Sequence, residues 1–105
     1  MSQFDVFRNP DPGSRERIPF VIVLQSDLLG AIENHVVAPL RRKQDSAIVP
    51  VLRLNPVVLI EANEYLVRVQ DLATVPSRML REHVANLSSH RDEILAALDL
   101  LFTGF

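Results

Sequence analysis

The 105-residue chain contains no cysteine, and this absence excludes three kinds of site. A disulfide-stabilised scaffold, a zinc site with thiolate ligands and a thiol nucleophile all require cysteine. Only three glycines are present, and they form no glycine-rich loop of the kind that binds phosphate. The histidines His35, His83 and His90 do not show the spacing of a metal-ligand pair on a helix. We therefore expect surface or capping roles for them, and no metal or cofactor.

Long apolar runs are also absent. No stretch approaches the roughly 18 residues that a membrane-spanning helix needs, and the opening residues, Met1 to Asp5, do not show the cationic and apolar regions of a secretion signal. The formal net charge is −2, so the field of the whole molecule does not attract phosphate backbones. We expect a cytoplasmic protein that contacts neither a membrane nor nucleic acid directly.

The composition is that of one folded domain covering residues 1–105. Hydrophobic residues make up 48% of the chain and charged residues 23%, proportions that are typical of neither disordered nor fibrous proteins. No internal repeat or low-complexity segment interrupts the sequence.

Apolar runs predict several strands. The β-branched run from Pro19 to Leu24 predicts a strand buried on both faces. Two further runs, Val57 to Ile60 and Tyr65 to Val69, flank the four residues Glu61 to Glu64 and predict a β-hairpin. Weaker strands are predicted for Phe4 to Phe7 and for His35 to Leu40, the latter at an edge or bend because Pro39 interrupts it.

Three polar or proline-containing segments predict the connections. Asn9 to Ser14 has two prolines and a glycine, which is typical of an exposed loop. Arg41 to Ser46 predicts a solvated polar loop, although its basic run could contact an acidic partner. Asp71 to Pro76 predicts a turn that leaves the sheet.

The C-terminal part has a different period. From Ser89 onward the pattern predicts a helix, which begins with a capping box formed by Ser89 and Asp92. Apolar residues recur there at spacings of three, four and seven, as on one face of a helix: Leu87, Ile94, Leu95, Leu98, Leu101 and Phe102. Strands followed by one helix predict an α+β fold dominated by β structure.

The ending, Leu100 to Phe105, is unusually apolar. Gly104 is placed to adopt the left-handed conformation that ends a helix, with Phe105 packing back on the preceding turn. The last helical turn is nevertheless apolar nearly all round, and a helix packed on one sheet buries only one stripe. A second stripe favours association with another subunit or another protein.

Several short segments resemble the CcdB toxins in their order and spacing over essentially the whole chain. They are Gln3 to Phe7, Gln25 to Leu29, Pro56 to Val58, Asp71 to Pro76 and Phe102 to Phe105. The resemblance implies a homodimer of β-rich subunits related to SH3-like barrels, of the CcdB/MazF type, each with an antiparallel sheet and a C-terminal helix. It also implies the toxin of a toxin–antitoxin pair, which binds the A subunit of DNA gyrase, traps the cleaved gyrase–DNA complex and catalyses no reaction. A cognate CcdA-like antitoxin would neutralise it through a tail that folds on its surface.

The resemblance further implies a gyrase-binding surface at the helix end. Matched by position, Leu28 and Leu29 correspond to the paired aliphatic residues beside this surface, and Asp99 to a site where the family can carry asparagine. The matched terminal residues are Phe102, Thr103, Gly104 and Phe105. Thr103 stands where the best-known family ending has tryptophan, which predicts weaker gyrase binding or a differently shaped pocket.

Two alternatives stay open. The related MazF-like toxins are endoribonucleases, but Arg17-Ile18-Pro19-Phe20 does not match their arginine–proline step, and the acidic charge balance disfavours RNA. The other alternative is a dimeric binding module that keeps the fold and the antitoxin but has lost gyrase potency.

Overall fold

The chain folds into a curled antiparallel sheet with one helix at its C-terminal end. The computed structural model describes residues 1–27, 33–45, 47–51 and 53–104. Their elements are β1 (Asp5–Arg8), β2 (Phe20–Val23), β3 (Asn34–Arg42), β4 (Val57–Ile60), β5 (Asn63–Val67), β6 (Ala73–Pro76), β7 (His83–Asn86) and α1 (Arg91–Thr103). Short 3₁₀ turns lie at Val69–Asp71, Ser77–Met79 and Ser88–His90.

The strand order of the sheet is β4-β5-β3-β2-β1-β7, and β6 pairs with β3 beside this path. All of these pairings are antiparallel. The fold class predicted from the sequence, an α+β fold dominated by an antiparallel sheet and ending in a helix, is confirmed.

β2 is buried on both faces, as its unbroken apolar run predicts. Ile22 and Leu24 belong to the main core, which α1 covers through Ile94 and Ala97. Val21 and Val23 belong instead to a second cluster on the opposite face of the sheet. Successive side chains of a strand point to opposite faces, so a strand between two apolar clusters needs no polar alternation.

β3 lies in the middle of the sheet, so the edge position, one of the two placements predicted for it, is wrong. One side of β3 pairs with β2 along Val37–Leu40. The other side pairs first with β6, up to Val37, and then with β5, from Leu40. Pro39 lies between these two partners, where the amide N–H that it lacks is not needed, and its carbonyl accepts a hydrogen bond from the Arg68 N–H at 3.0 Å.

The predicted β-hairpin is confirmed as β4 and β5, with a shorter connection than expected. Ile60 pairs with Asn63, so only Glu61 and Ala62 remain in the turn. Both have positive φ, 53° and 68°, as in a type I′ turn, whose twist matches that of the flanking strands. The strands therefore extend to a two-residue connection although neither turn residue is glycine.

Two of the predicted connections contain strand residues. Ala73–Pro76 forms β6 and pairs with Asn34–Val37, so the prediction that it is a turn leaving the sheet is wrong. Arg41 and Arg42 belong to β3, opposite Leu66 and Tyr65, and the predicted polar loop therefore begins later. Both segments are strands because a neighbouring strand offers them backbone partners, which local composition does not reveal.

α1 begins differently from the prediction. Its N-cap residue is His90, and no side chain caps the helix, so the predicted Ser89–Asp92 capping box is wrong. The 3₁₀ turn Ser88–His90 leads into the helix, and the Asn86 side chain accepts a hydrogen bond from the Ser88 N–H at 2.9 Å. Asp92 and Glu93 lie in the first turn, where negative charge is favourable.

Candidate functional site at the end of the helix

α1 is held on the sheet by a narrow apolar stripe. Ile94 and Ala97 are fully buried, and Leu95, Leu98 and Leu101 pack against the same core while remaining partly exposed. These contacts extend along nearly the whole helix. They fix its C-terminal turn in space without burying all of that turn.

Phe102 is a large apolar side chain that is exposed in that turn. It is 71% exposed, so the sequence prediction that it shares the core-facing stripe with Leu98 and Leu101 is wrong. Phe102 follows Leu98 by one turn and lies about 80° around the helix from the buried Ile94, so it stands at the margin of the stripe and in the last turn of the helix. An exposed phenylalanine forgoes about 1.5–3 kcal/mol of burial, a cost that contact with a partner would recover.

Asp99 and Thr103 lie one turn apart beside this ring, and both are exposed. The Thr103 hydroxyl donates to the Asp99 carbonyl oxygen at 2.6 Å, so its hydrogen is used within the helix. The last turn contains no basic residue, and no ion pair to Asp99 occurs within the described part of the chain. The helix dipole adds negative charge at this end, so the local field is negative.

Gly104 ends the helix in the way that the sequence predicts. It is left-handed, with φ 80° and ψ 13°, and its N–H donates to the Leu100 carbonyl at 3.0 Å. A Cβ built on Gly104 would meet no atom within 4 Å among the described residues, its chain neighbours left aside. Backbone conformation therefore explains this glycine, and the described part of the subunit leaves the space beside it open to a partner.

Four of the seven residues that the sequence assigns to this surface lie together in the structure: Asp99, Phe102, Thr103 and Gly104. We call these four residues the helix tip. The other three, Leu28, Leu29 and Phe105, lie outside the described residues.

The basic run at the end of β3, Arg41 to Lys43, is less available to a partner than the sequence suggests. Arg41 donates to Asp45 at 2.7 Å, and this hydrogen bond is the main reason why the pKa of the Asp45 carboxyl is lowered. Lys43 lies 3.6 Å from Glu64. Arg42 is exposed, and it donates to the Glu16 carbonyl at 2.7 Å.

A cleft that the sequence did not reveal has a stronger basic character. It has a volume of about 310 Å³ and is lined by Arg8, Arg15, Arg78 and Arg81, with Glu82 as its one acidic residue. We call it the arginine cleft. Its arginines come from the two ends of the chain and form no charge run, so only knowledge of the strand pairing could have brought them together.

The three histidines each contact another side chain. His35 Nδ1 lies 2.5 Å from Ser77 Oγ, His83 Nε2 lies 2.9 Å from Asp5 Oδ1, and His90 Nδ1 lies 3.4 Å from Glu93 Oε1. Among the described residues, no three His, Asp or Glu side chains are grouped so that they could hold a metal ion.

Comparison with known families shows the family of the chain. The family model described as CcdB protein matches residues 3–104, nearly the whole chain. The chain belongs to the CcdB family. Members are toxin components of toxin–antitoxin systems, as the resemblance of the short segments implies. A search of curated proteins gave no match.

The resemblance to CcdB toxins assigns target binding to the C-terminal part of the chain, and the helix tip lies in that part. The helix tip is therefore the candidate surface for binding a target. The described residues include no helix that is both long and apolar enough to cross a membrane.

Proposed function

We propose that this CcdB toxin binds the A subunit of DNA gyrase through its helix tip and traps the cleaved gyrase–DNA complex, which inhibits replication and growth. The observation that carries the proposal is the 71% exposure of Phe102 at the end of a helix that is otherwise held on the core. An exposed aromatic side chain on a fixed element is the usual form of an anchor residue in a protein interface.

The local geometry supports such an anchor. Ile94 and Ala97 hold the helix, so a partner would meet a preorganised tip and would lose little conformational entropy in ordering it. The open space beside Gly104 would allow the backbone of a target to approach. Asp99 would require a basic group on the target, since a carboxylate buried without a partner is costly.

We further propose that the toxin acts as a homodimer in which two helix tips lie side by side. A two-fold axis would then present a self-complementary surface to the gyrase target, which is itself dimeric. The chain would act by binding alone, without catalysis, cofactor, or direct contact with nucleic acid or membrane, and a CcdA-like antitoxin would neutralise it.

The decisive experiment measures gyrase-mediated DNA cleavage with purified protein. We expect the wild type to accumulate cleaved complexes and Phe102→Ala to require at least about tenfold more protein for the same effect. The stability of this variant should stay within about 0.5 kcal/mol of the wild type, because the side chain is exposed. Leu59→Ala is the matched control, since Leu59 is 60% exposed and lies on β4; it should poison gyrase as the wild type does.

Three results would contradict the proposal. Equal potency of Phe102→Ala and the wild type would remove the helix tip as the binding surface. Antitoxin binding without gyrase poisoning would indicate a binding module that has lost potency, the case that Thr103 suggests. Cleavage of RNA by the pure protein would favour the ribonuclease alternative.

A further inference from the structure

We infer that the arginine cleft binds an acidic peptide segment. The charge of the cleft supports an acidic ligand independently of the proposed function. The statement that this ligand is a segment of the antitoxin rests on the proposed function. The helix tip and the arginine cleft share no residue, so each surface can be tested without altering the other.

The cleft is built from four separate parts of the chain. Arg8 ends β1, Arg15 lies in the loop that leads to β2, Arg78 belongs to the 3₁₀ turn Ser77–Met79, and Arg81 precedes β7. Antiparallel pairing of β1 with β7 brings the first and last of these together, and the Arg8 N–H donates to the Glu82 carbonyl at 2.9 Å. The sheet therefore brings Arg8 and Arg81 close together.

Two of the guanidinium groups are held in place through their Nε atoms. Arg15 Nε donates to the Asn9 carbonyl at 2.9 Å, and Arg81 Nε donates to the Arg78 carbonyl at 3.1 Å. Their terminal nitrogens, which form the fork that binds a carboxylate with two hydrogen bonds, have no partner in the described part of the chain. The groups are thus oriented before a ligand arrives.

The positive charge of the cleft is largely uncompensated. Among the described residues, only Arg8 of the four arginines has a nearby carboxylate, with Nε 4.0 Å from Glu82 Oε2. Within residues 1–27, 33–45, 47–51 and 53–104, no carboxylate lies within 4.0 Å of Arg15, Arg78 or Arg81. In a chain with a net charge of −2, a cleft of four arginines and one glutamate favours a ligand that carries several negative charges.

A neighbouring cleft extends this surface and indicates a peptide. It has a volume of about 380 Å³, shares Arg8 and Arg15 with the arginine cleft, and adds Arg42 together with Phe20 and Tyr65. Arginines in both joined clefts, with two aromatic side chains in the second, suit an extended segment with acidic and apolar side chains. A single small anion would occupy only part of the surface.

Nucleic acid fits these observations less well than an acidic peptide. Binding of DNA or RNA depends on a field that attracts phosphates over a wide surface, and the net charge of this chain is negative. Glu82 lies in one cleft and Glu16 in the other, where each would repel a continuous phosphate backbone. A peptide can place uncharged residues at these two points.

The test uses a fluorescent ten-residue peptide of alternating glutamate and leucine, with fluorescence anisotropy as the readout. We expect the wild-type protein to bind this peptide. The double variant Arg78→Glu/Arg81→Glu should lose at least about tenfold in affinity, because two attractive charges become repulsive. The control is Arg53→Glu/Arg91→Glu, which makes the same charge change at two exposed arginines outside both clefts and should bind as the wild type does.

Three outcomes would overturn the inference: equal loss in the control variant, equal affinity for a lysine–leucine peptide, and tighter binding of a 20-base-pair DNA duplex than of the acidic peptide. Full competition by millimolar inorganic phosphate would also overturn it in favour of a simple anion site. Gyrase-mediated cleavage is measured in parallel. Arg78→Glu/Arg81→Glu should still poison gyrase, and a wild type that binds peptide without poisoning gyrase would contradict the proposed function alone.

Discussion

Asp5 is the most constrained carboxylate among the described residues. It is 8% exposed and accepts hydrogen bonds from the Ser2 N–H at 2.7 Å, from Asn86 Nδ2 at 3.0 Å and from His83 Nε2 at 2.9 Å. Burial by itself raises the pKa of Asp5, but the hydrogen bonds from Asn86, Ser2 and His83 outweigh it, and the pKa is lowered from 3.8. The ionised form therefore ties the first strand to the last.

This lowered pKa predicts how stability depends on pH. Because the pKa is lower in the folded than in the unfolded protein, Asp5 stabilises the fold above pH 3.8, and this contribution is lost as pH falls through the folded value. Asp5→Asn should cost about 1.5–3 kcal/mol at neutral pH, since it removes hydrogen bonds to a charged acceptor.

Urea unfolding of the wild type and of Asp5→Asn, measured from neutral pH down to about pH 2.5, would check this prediction. The two curves should converge at the acid end. His83→Gln is the control, because it keeps the bonds from Ser2 and Asn86 and should retain most of the acid-dependent loss. A constant difference between the wild type and Asp5→Asn would show that Asp5 contributes through packing and not through its charge.

At the scale of single residues, the sequence predicted Gly104 well and Phe102 only in part. A glycine after an apolar helical run has one common structural use, so its left-handed conformation followed from position alone. The apolar character of Phe102 gave no indication of whether its ring faces the core or the solvent. That choice depends on where the last turn of α1 lies relative to the sheet, which the local sequence does not show.

The connection between β4 and β5 contains avoidable backbone strain. Glu61 and Ala62 both adopt positive φ, a conformation that costs roughly 1–2 kcal/mol for residues other than glycine, asparagine and aspartate. Both side chains are exposed, so changing them disturbs no packing. Asparagine followed by glycine is the preferred pair for this turn type.

We predict that Glu61→Asn/Ala62→Gly raises the free energy of unfolding by about 1 kcal/mol, which corresponds to roughly 4–8 °C in Tm for a domain of this size. Differential scanning calorimetry would measure the change. The reversed pair, Glu61→Gly/Ala62→Asn, keeps the composition and should gain less. A lower Tm for Glu61→Asn/Ala62→Gly would mean that the turn is not of type I′ in solution.

Elements with their own apolar pattern were predictable, and elements that depend on a neighbour were not. β2, the hairpin and α1 each carry a run or period that identifies them. β6 is a strand only because the first half of β3 lies beside it, and β3 tolerates Pro39 only because its two partners change at that point. Similarly, the arginine cleft joins arginines up to 73 positions apart in the chain, and local sequence patterns do not show contacts over such a separation.

For the whole molecule, the main open prediction is its state of association. Phe102 at 71% exposure and the open space beside Gly104 favour contact between two copies as well as contact with a target. Burial of such groups contributes about 25 cal/mol for each Å² of apolar surface removed from water. A symmetric contact gains this contribution from both copies at once.

Sedimentation equilibrium at micromolar concentration should give the mass of a dimer, about twice the 11.8 kDa of one chain. Asp99→Lys reverses a charge at the helix tip and would test whether the contact lies there. If it does, the mass measured for this variant should depend on the salt concentration, because salt screens interactions between charges. Leu59→Lys, on the edge strand β4, is the control and should leave the mass unchanged. A monomer throughout the micromolar range would refute the dimer.

The pairing of β1 with β7 has a consequence for how the protein is made. Asp5 pairs with Asn86, so the outer edge of β1 has no partner until most of the polypeptide has been synthesised. During translation the nascent chain therefore has an unpaired strand edge, and such edges can pair with other chains. Translation speed and chaperone supply would then govern how much of the product reaches its native form.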